Sequence, residues 1–107
     1  FPDFTEALYN KATILYFQGL LDESYDLYEQ ILRTVPEHVS ALIGKANVLS
    51  QMSELDEALI WYDEALKRFP RSAEACMGKS AVYRMMGLEE DGRKWQEKAR
   101  MLEQENY

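Results

Sequence analysis

Three groups of residues in this sequence have types that could do chemistry, and their spacing decides whether they do. Gly78, Lys79 and Ser80 have the order that closes a phosphate-binding loop, where backbone amides cradle phosphate and the lysine reaches its outer oxygens. Such a loop needs a glycine five residues before Gly78, and position 73 is alanine. The triplet also falls inside a helical pattern, where backbone amides are already bonded. Adjacent carboxylates at Asp22 and Glu23, Asp56 and Glu57, and Glu90 and Asp91 have the composition of an acid–base pair. Each pair opens a helical segment, where the helix dipole favours negative charge by about 0.3–1 kcal/mol. Placement accounts for them without catalysis. His38 follows Pro36 in a connection and reads as a surface turn residue, while Cys76 stands where Leu8 and Leu42 stand elsewhere and reads as buried and inert. The sequence therefore predicts a protein that is not an enzyme and uses no metal or cofactor.

Composition narrows the classes further. Of 107 residues, 19 are Asp or Glu and 12 are Lys or Arg, for a net charge of −7. That balance repels a polyanion at long range and argues against a nucleic-acid partner. A single cysteine forms no internal disulfide, and one His with one Cys falls short of the roughly four ligands of a structural zinc site. No apolar run approaches the roughly 20 residues of a membrane span. The length suits one compact domain or a short array of repeats.

The elements that position these residues recur every 34 positions. Pro2, Pro36 and Pro70 share one register, each after an apolar residue: Phe1, Val35 and Phe69. The stretch ALYNKATIL from Ala7 returns as ALIGKANVL from Ala41 and as ACMGKSAVY from Ala75. A period of this kind signals stacked supersecondary units. Each unit divides at Gly19, Ser53 or Gly87 into two helical segments of about 13–16 residues. Gly19 and Gly87 suit the left-handed residue that closes a helix, and Ser53 is expected as the N-cap of the helix carrying Asp56 and Glu57. First segments place Leu8, Ala12 and Leu15, then Leu42, Ala46 and Leu49, on one face; a second segment does so with Leu55, Ala58, Leu59, Tyr62, Ala65 and Leu66. Pro36 and Pro70 end the second segments, because the residue before proline leaves helical geometry. The expected fold is all-α.

In these residues the chain resembles the tetratricopeptide repeat family. The best-matching unit carries Leu42, Ala46, Leu49, Ala58, Tyr62, Ala65 and Pro70; the first carries Leu8, Ala12, Leu15, Gly19, Ser24, Tyr28 and Pro36. The third keeps Ser80, Tyr83, Gly87 and Ala99 but has Gln96 where the aromatic belongs. The resemblance implies antiparallel helix pairs stacked as a right-handed superhelix over a single domain, 1–107, with repeats 5–38, 39–72 and 73–106. Residues 1–4 would be the tail of a preceding repeat. All three units depart from the pattern by placing lysine in the first helix, at Lys11, Lys45 and Lys79, whose stems are expected to lie along the interface with the ammonium in water.

The resemblance further implies that first helices line a concave groove, and a helical wheel gives the same face once the packing stripes are removed. It presents Tyr9, Asn10, Thr13, Tyr16 and Phe17, then Ile43, Gly44, Asn47 and Gln51, then Met77, Gly78, Ala81, Arg84 and Met85. Tyr offers large contact area and Met adapts its shape, so the expected ligand is an apolar or amphipathic peptide or helix of a partner protein. Mid-helix glycines cost about 1 kcal/mol against alanine. Gly44 and Gly78 imply close approach either of a ligand backbone or of neighbouring first helices. A subgroup of the family grips a terminal carboxylate with lysines, asparagines and an arginine. Here the corresponding residues are Tyr9, Thr13, Gly44, Glu74 and Gly78, so that clamp is absent.

The two ends differ. Leu21, Tyr25 and Leu32, and Leu55, Leu59 and Leu66, become Glu89, Arg93 and Arg100 in the last unit, as expected of a C-terminal cap with no fourth repeat beyond it. At the other end Phe4, Ala7, Lys11 and Ile14 form a stripe that a preceding repeat would cover. Either the chain self-associates through its N-terminal helix pair, or Phe1 and Phe4 fold over the stripe. The functional expectation is a protein-interaction module; the alternatives are a self-assembly segment acting through its ends, or the docking arm of an enzyme elsewhere in a longer chain.

Overall fold

Six helices make up the regular structure of the computed structural model, which describes residues 4–105: α1 (Phe4–Phe17), α2 (Leu21–Thr34), α3 (Val39–Gln51), α4 (Leu55–Arg68), α5 (Ala73–Met85) and α6 (Glu89–Glu105). No strand occurs among the described residues. The expectations for Phe1 and Pro2 fall outside them.

Each first helix closes in the same way. Leu20 N–H donates to Leu15 O, Glu54 N–H to Leu49 O and Leu88 N–H to Tyr83 O, at 2.9, 2.9 and 2.8 Å, while Gly19, Ser53 and Gly87 donate one turn back to Tyr16, Ser50 and Arg84. These are Schellman closures, which need a left-handed residue at the turn. Gly19 and Gly87 supply it at φ 81° and 82°, and Ser53 adopts it at 65°. Ser53 is therefore the closing residue of α3, and the expectation that it caps α4 is overturned; Glu54 precedes α4 and makes no side-chain cap bond. Second helices end at Val35 and Phe69, whose extended backbones lead into Pro36 and Pro70.

His38 is the N-cap of α3 rather than a plain turn residue: its Nδ1 accepts from Ala41 N–H at 3.1 Å. The same bond forms 34 residues on, from Ala75 N–H to Ser72 Oγ, also 3.1 Å.

Within each pair the helices cross at small residues. Ser24 Oγ donates to Ala12 O at 2.7 Å, Ser80 Oγ donates to Gly92 O at 2.6 Å, and Ala46 and Ala58 share the core of the middle pair. A hydroxyl that bonds a carbonyl on the facing helix satisfies itself while letting the backbones approach. Successive pairs then stack, α2 on α3 and α4 on α5, with α3 also touching α1 and α5.

The stacking surfaces hold the lysines, and here the structure corrects the expectation of ammonium groups in water. Lys45 and Lys79 are only 5% and 6% exposed. Lys79 Nζ lies 2.5 Å from Asp63 of the preceding pair and 3.8 Å above the Trp95 ring of its own pair. Lys45 repeats this with Glu29 and with Trp61, 3.5 Å below it. Carboxylate and indole face together replace water around each cation. Lys11, in the same register, is exposed, and Leu27 stands where Trp61 and Trp95 stand. Phe4 and Ile14 beside it are 70% and 57% exposed, whereas Ala41, Val48, Ala75 and Val82, which continue that stripe in later units, are fully buried. At the far end Arg93 and Arg100 are exposed and pair along α6 with Glu90 and Glu97. Gly92, Ala99 and Leu102 bury its other side.

Candidate functional site: the concave face

The face expected to be concave is formed by α1, α3 and α5, which touch in succession, and it is propped from behind by tyrosines of the second helices. Tyr28 of α2 lies between α1 and α3, against Gly44. Its hydroxyl is 3.1 Å from Thr13 Oγ1, which donates its own proton to Tyr9 O at 3.0 Å, so Tyr28 is the donor in that contact. Tyr62 of α4 does the same between α3 and α5, against Gly78, donating to Asn47 Oδ1. This bond uses the amide oxygen of Asn47 and so fixes the orientation of its side chain.

These rings explain the glycines. A Cβ on Gly44 would fall 2.9 Å from Tyr28 Cε2 and closer still to the next two ring atoms; one on Gly78 would fall 2.7 Å from the Tyr62 hydroxyl. Neither expected cause holds. The glycines make room for a tyrosine of the preceding pair, not for a ligand backbone and not for the adjacent first helix. Burial also pushes the hydroxyl pKa of both tyrosines above its ordinary value: for Tyr28 the Thr13 contact partly offsets this, and for Tyr62 nearby Tyr16 and Glu74 reinforce it. In the third unit the prop is polar, with Arg84 Nη2 donating to Gln96 Oε1.

The expected groove residues separate by exposure. Asn10, Phe17, Gln51, Met77, Ala81, Arg84 and Met85 are exposed; Tyr9, Thr13, Tyr16, Asn47 and Gly78 are partly buried. Ile43 and Gly44 present almost no surface: Ile43 is 3% exposed and packs in the central core. Tyr16 and Phe17 meet edge to face at 5.2 Å and, with Gly19, Leu21 and Gln51, line a cavity of about 380 Å3 at the carboxyl ends of the first helices. Ser50 Oγ contacts Met85 Sδ at 3.6 Å beside it. At the amino ends a second notch, about 300 Å3, is lined by Thr5, Glu6, Tyr9, Val35, His38 and Ser40. The Tyr9 ring stands 5.9 Å from both His38 and Tyr28. Sequence reasoning missed His38 here, although its 34-residue offset from Ser72 marks it as a cap beside the groove. Among the described residues, no three His, Cys, Asp or Glu side chains come together as metal ligands, and no helix is long and apolar enough to cross a membrane.

Stacked helix pairs with a first-helix wall and wedged second-helix aromatics define an α-solenoid of the kind that serves as an interaction module. The tetratricopeptide repeat family model matches residues 3–71, and the chain belongs to that family. Its fold is the family's all-α, right-handed superhelix. No curated protein matches the sequence. Among solved structures, MamA is similar at 20% identity and TM-score 0.84, over 95% of this chain and 60% of MamA, so the chain spans less than two thirds of that protein. The type III secretion translocator chaperone SycD of Yersinia enterocolitica, in a structure described as an alternative dimer, is 16% identical with TM-score 0.88, over 95% of this chain and 77% of SycD. The first tetratricopeptide domain of Spaghetti (RPAP3), bound to the HSP90 peptide SRMEEVD, is 19% identical with TM-score 0.86, over 96% and 82%.

Proposed function

We propose that the chain acts as one unit of three repeats, a non-catalytic module whose concave face binds a peptide or helix of a partner protein. The observation that carries this is the tyrosine-propped wall. Tyr28 and Tyr62 hold Thr13 and Asn47 in place, so the exposed Phe17, Met77 and Met85 are displayed on a pre-organised surface and little ordering entropy opposes binding. A domain of the same fold holding the peptide SRMEEVD supports the use of such a face for peptides. An acidic tail of that kind does not suit this chain, because the positions of the subgroup's carboxylate clamp carry Tyr9, Thr13, Gly44, Glu74 and Gly78, one of them itself acidic and none a cation.

The test is affinity capture with the wild-type protein beside a Tyr16→Ala, Met77→Ala variant. A partner retained by the first and lost by the second, at unchanged helix content and oligomer size, supports the groove. Equal capture by both refutes it.

The exposed Phe4 and Ile14 favour a second reading, self-association through the N-terminal helix pair. Sedimentation of the wild type and of Ile14→Glu tests it: a concentration-dependent dimer lost in the variant supports it, and a monomer at high concentration excludes it.

A further inference from the structure

The notch at the amino ends of the first helices holds the two groups with which this chain surrounds its own buried lysines. Lys79 sits between the carboxylate of Asp63 and the ring of Trp95, and Lys45 between Glu29 and Trp61. In the notch Glu6 supplies a carboxylate, and no cation pairs with it among the described residues. Tyr9 and His38, their rings 5.9 Å apart and tilted by 30°, supply an aromatic wall. Val35 closes the space with an apolar surface, and the volume of about 300 Å3 accommodates a long side chain.

The groove beyond the notch has the same polarity. Glu74 opens α5 on this edge and lies near enough to Tyr28 and Tyr62 to act on both hydroxyls. Arg84 is the one cation among the expected groove residues, and it is engaged by Gln96 and stands 3.7 Å from Glu89. A carboxylate entering this edge meets Glu6 and Glu74 with no free cation among the described groove residues to offset them, whereas an ammonium or guanidinium meets a carboxylate and two rings.

We propose that the notch formed by Glu6, Tyr9 and His38 receives a lysine or arginine side chain, making the groove's ligand a cationic amphipathic segment. This rests on the groove reading above and adds the charge of the partner to it.

The experiment compares two fluorescein-labelled helical peptides with capped ends and identical leucine positions, one carrying lysine and the other glutamate on its polar flank. Anisotropy titrations use the full chain, Glu6→Gln, Tyr9→Leu and the Tyr16→Ala, Met77→Ala variant. The wild type should prefer the lysine peptide by about five-fold at low salt, from one exposed charge contact and one cation–ring contact. That preference should fall below about two-fold in Glu6→Gln and shrink with added salt. Equal or tighter binding of the glutamate peptide, a preference unchanged in both Glu6→Gln and Tyr9→Leu, or binding of neither peptide overturns the inference. If both peptides bind equally and both are lost in the Tyr16→Ala, Met77→Ala variant, the notch assignment falls while the groove reading stands.

Discussion

Replacing Gly78 by alanine separates a packing role for this glycine from a ligand-facing one, because the two predict opposite signs. In an open helix the substitution stabilises by about 1 kcal/mol through helix propensity. Here the new methyl would lie 2.7 Å from the Tyr62 hydroxyl oxygen and nearer to the ring carbons behind it. The ring has nowhere to retreat: Tyr62 is 2% exposed and its hydroxyl is bonded to Asn47. Overpacking a core commonly costs about 1–3 kcal/mol, and an immobile ring places this case at the upper end. The net expectation is a loss of about 2 kcal/mol, or about 10 °C in Tm for a domain of this size. Urea and thermal denaturation followed by circular dichroism should be run on wild type, Gly78→Ala, Tyr62→Leu and the double variant. The double variant should be more stable than the sum of the single losses implies, by about 1–2 kcal/mol, because the smaller side chain makes room for the methyl. A Gly78→Ala protein that melts above wild type, with additive behaviour in the double variant, would falsify the wedge account and return the glycine to ligand contact.

Three further expectations follow from local geometry. Ser53→Gly should stabilise the fold by about 1 kcal/mol, read as a higher urea midpoint, since serine adopts φ 65° there against its steric preference. Lys79→Ala should cost about 2 kcal/mol by the same measurement, mostly as lost packing against Trp95 because Asp63 remains half solvated, whereas Lys11→Ala on the open face should stay within about 0.5 kcal/mol. Tyr25, Tyr28 and Tyr62 all have pKa values raised above 10.0, chiefly by burial. The folded chain keeps them neutral while the unfolded chain ionises near 10, so their contribution is intact below that pH and is lost as pH rises from there toward the folded values. The share of tyrosinate absorbance near 295 nm owed to these three of the seven tyrosines should then appear together with loss of helical signal; all seven forming tyrosinate while the helices persist would contradict the burial.

Periodicity made the architecture legible. Prolines at one interval, glycines at the half-unit and apolar spacing inside each segment gave the helices, their order and the stacking stripes, and the six observed helices follow that pattern. Ser53 misled because serine is a good N-cap in isolation, and only its alignment with Gly19 and Gly87 reveals the left-handed position it fills. The lysines misled because their partners lie on two different helices, Asp63 and Trp95 for Lys79, a convergence that one-dimensional spacing leaves invisible. Most of the residues that a helical wheel assigns to the free face of the first helices do carry exposed surface. The wheel treats a helix as an isolated cylinder, however, so it assigned Ile43 and Gly44 to the surface although neighbouring elements cover them. His38 went unread as a cap because an imidazole nitrogen fills the place usually taken by a Ser, Thr, Asp or Asn oxygen.

The wedged tyrosines have a consequence for tuning. Each ring stands between consecutive first helices, so the spacing of α1, α3 and α5 depends on side chains of the second helices and not only on the residues those first helices expose. A smaller ring at position 28 or 62 would let adjacent units close together, whereas trimming the lining at Met77 or Phe17 would change local contacts and leave the span of the trough intact. If the face of the first helices is where a partner docks, as proposed, partner choice can drift through substitutions at positions 28 and 62, hidden behind that face.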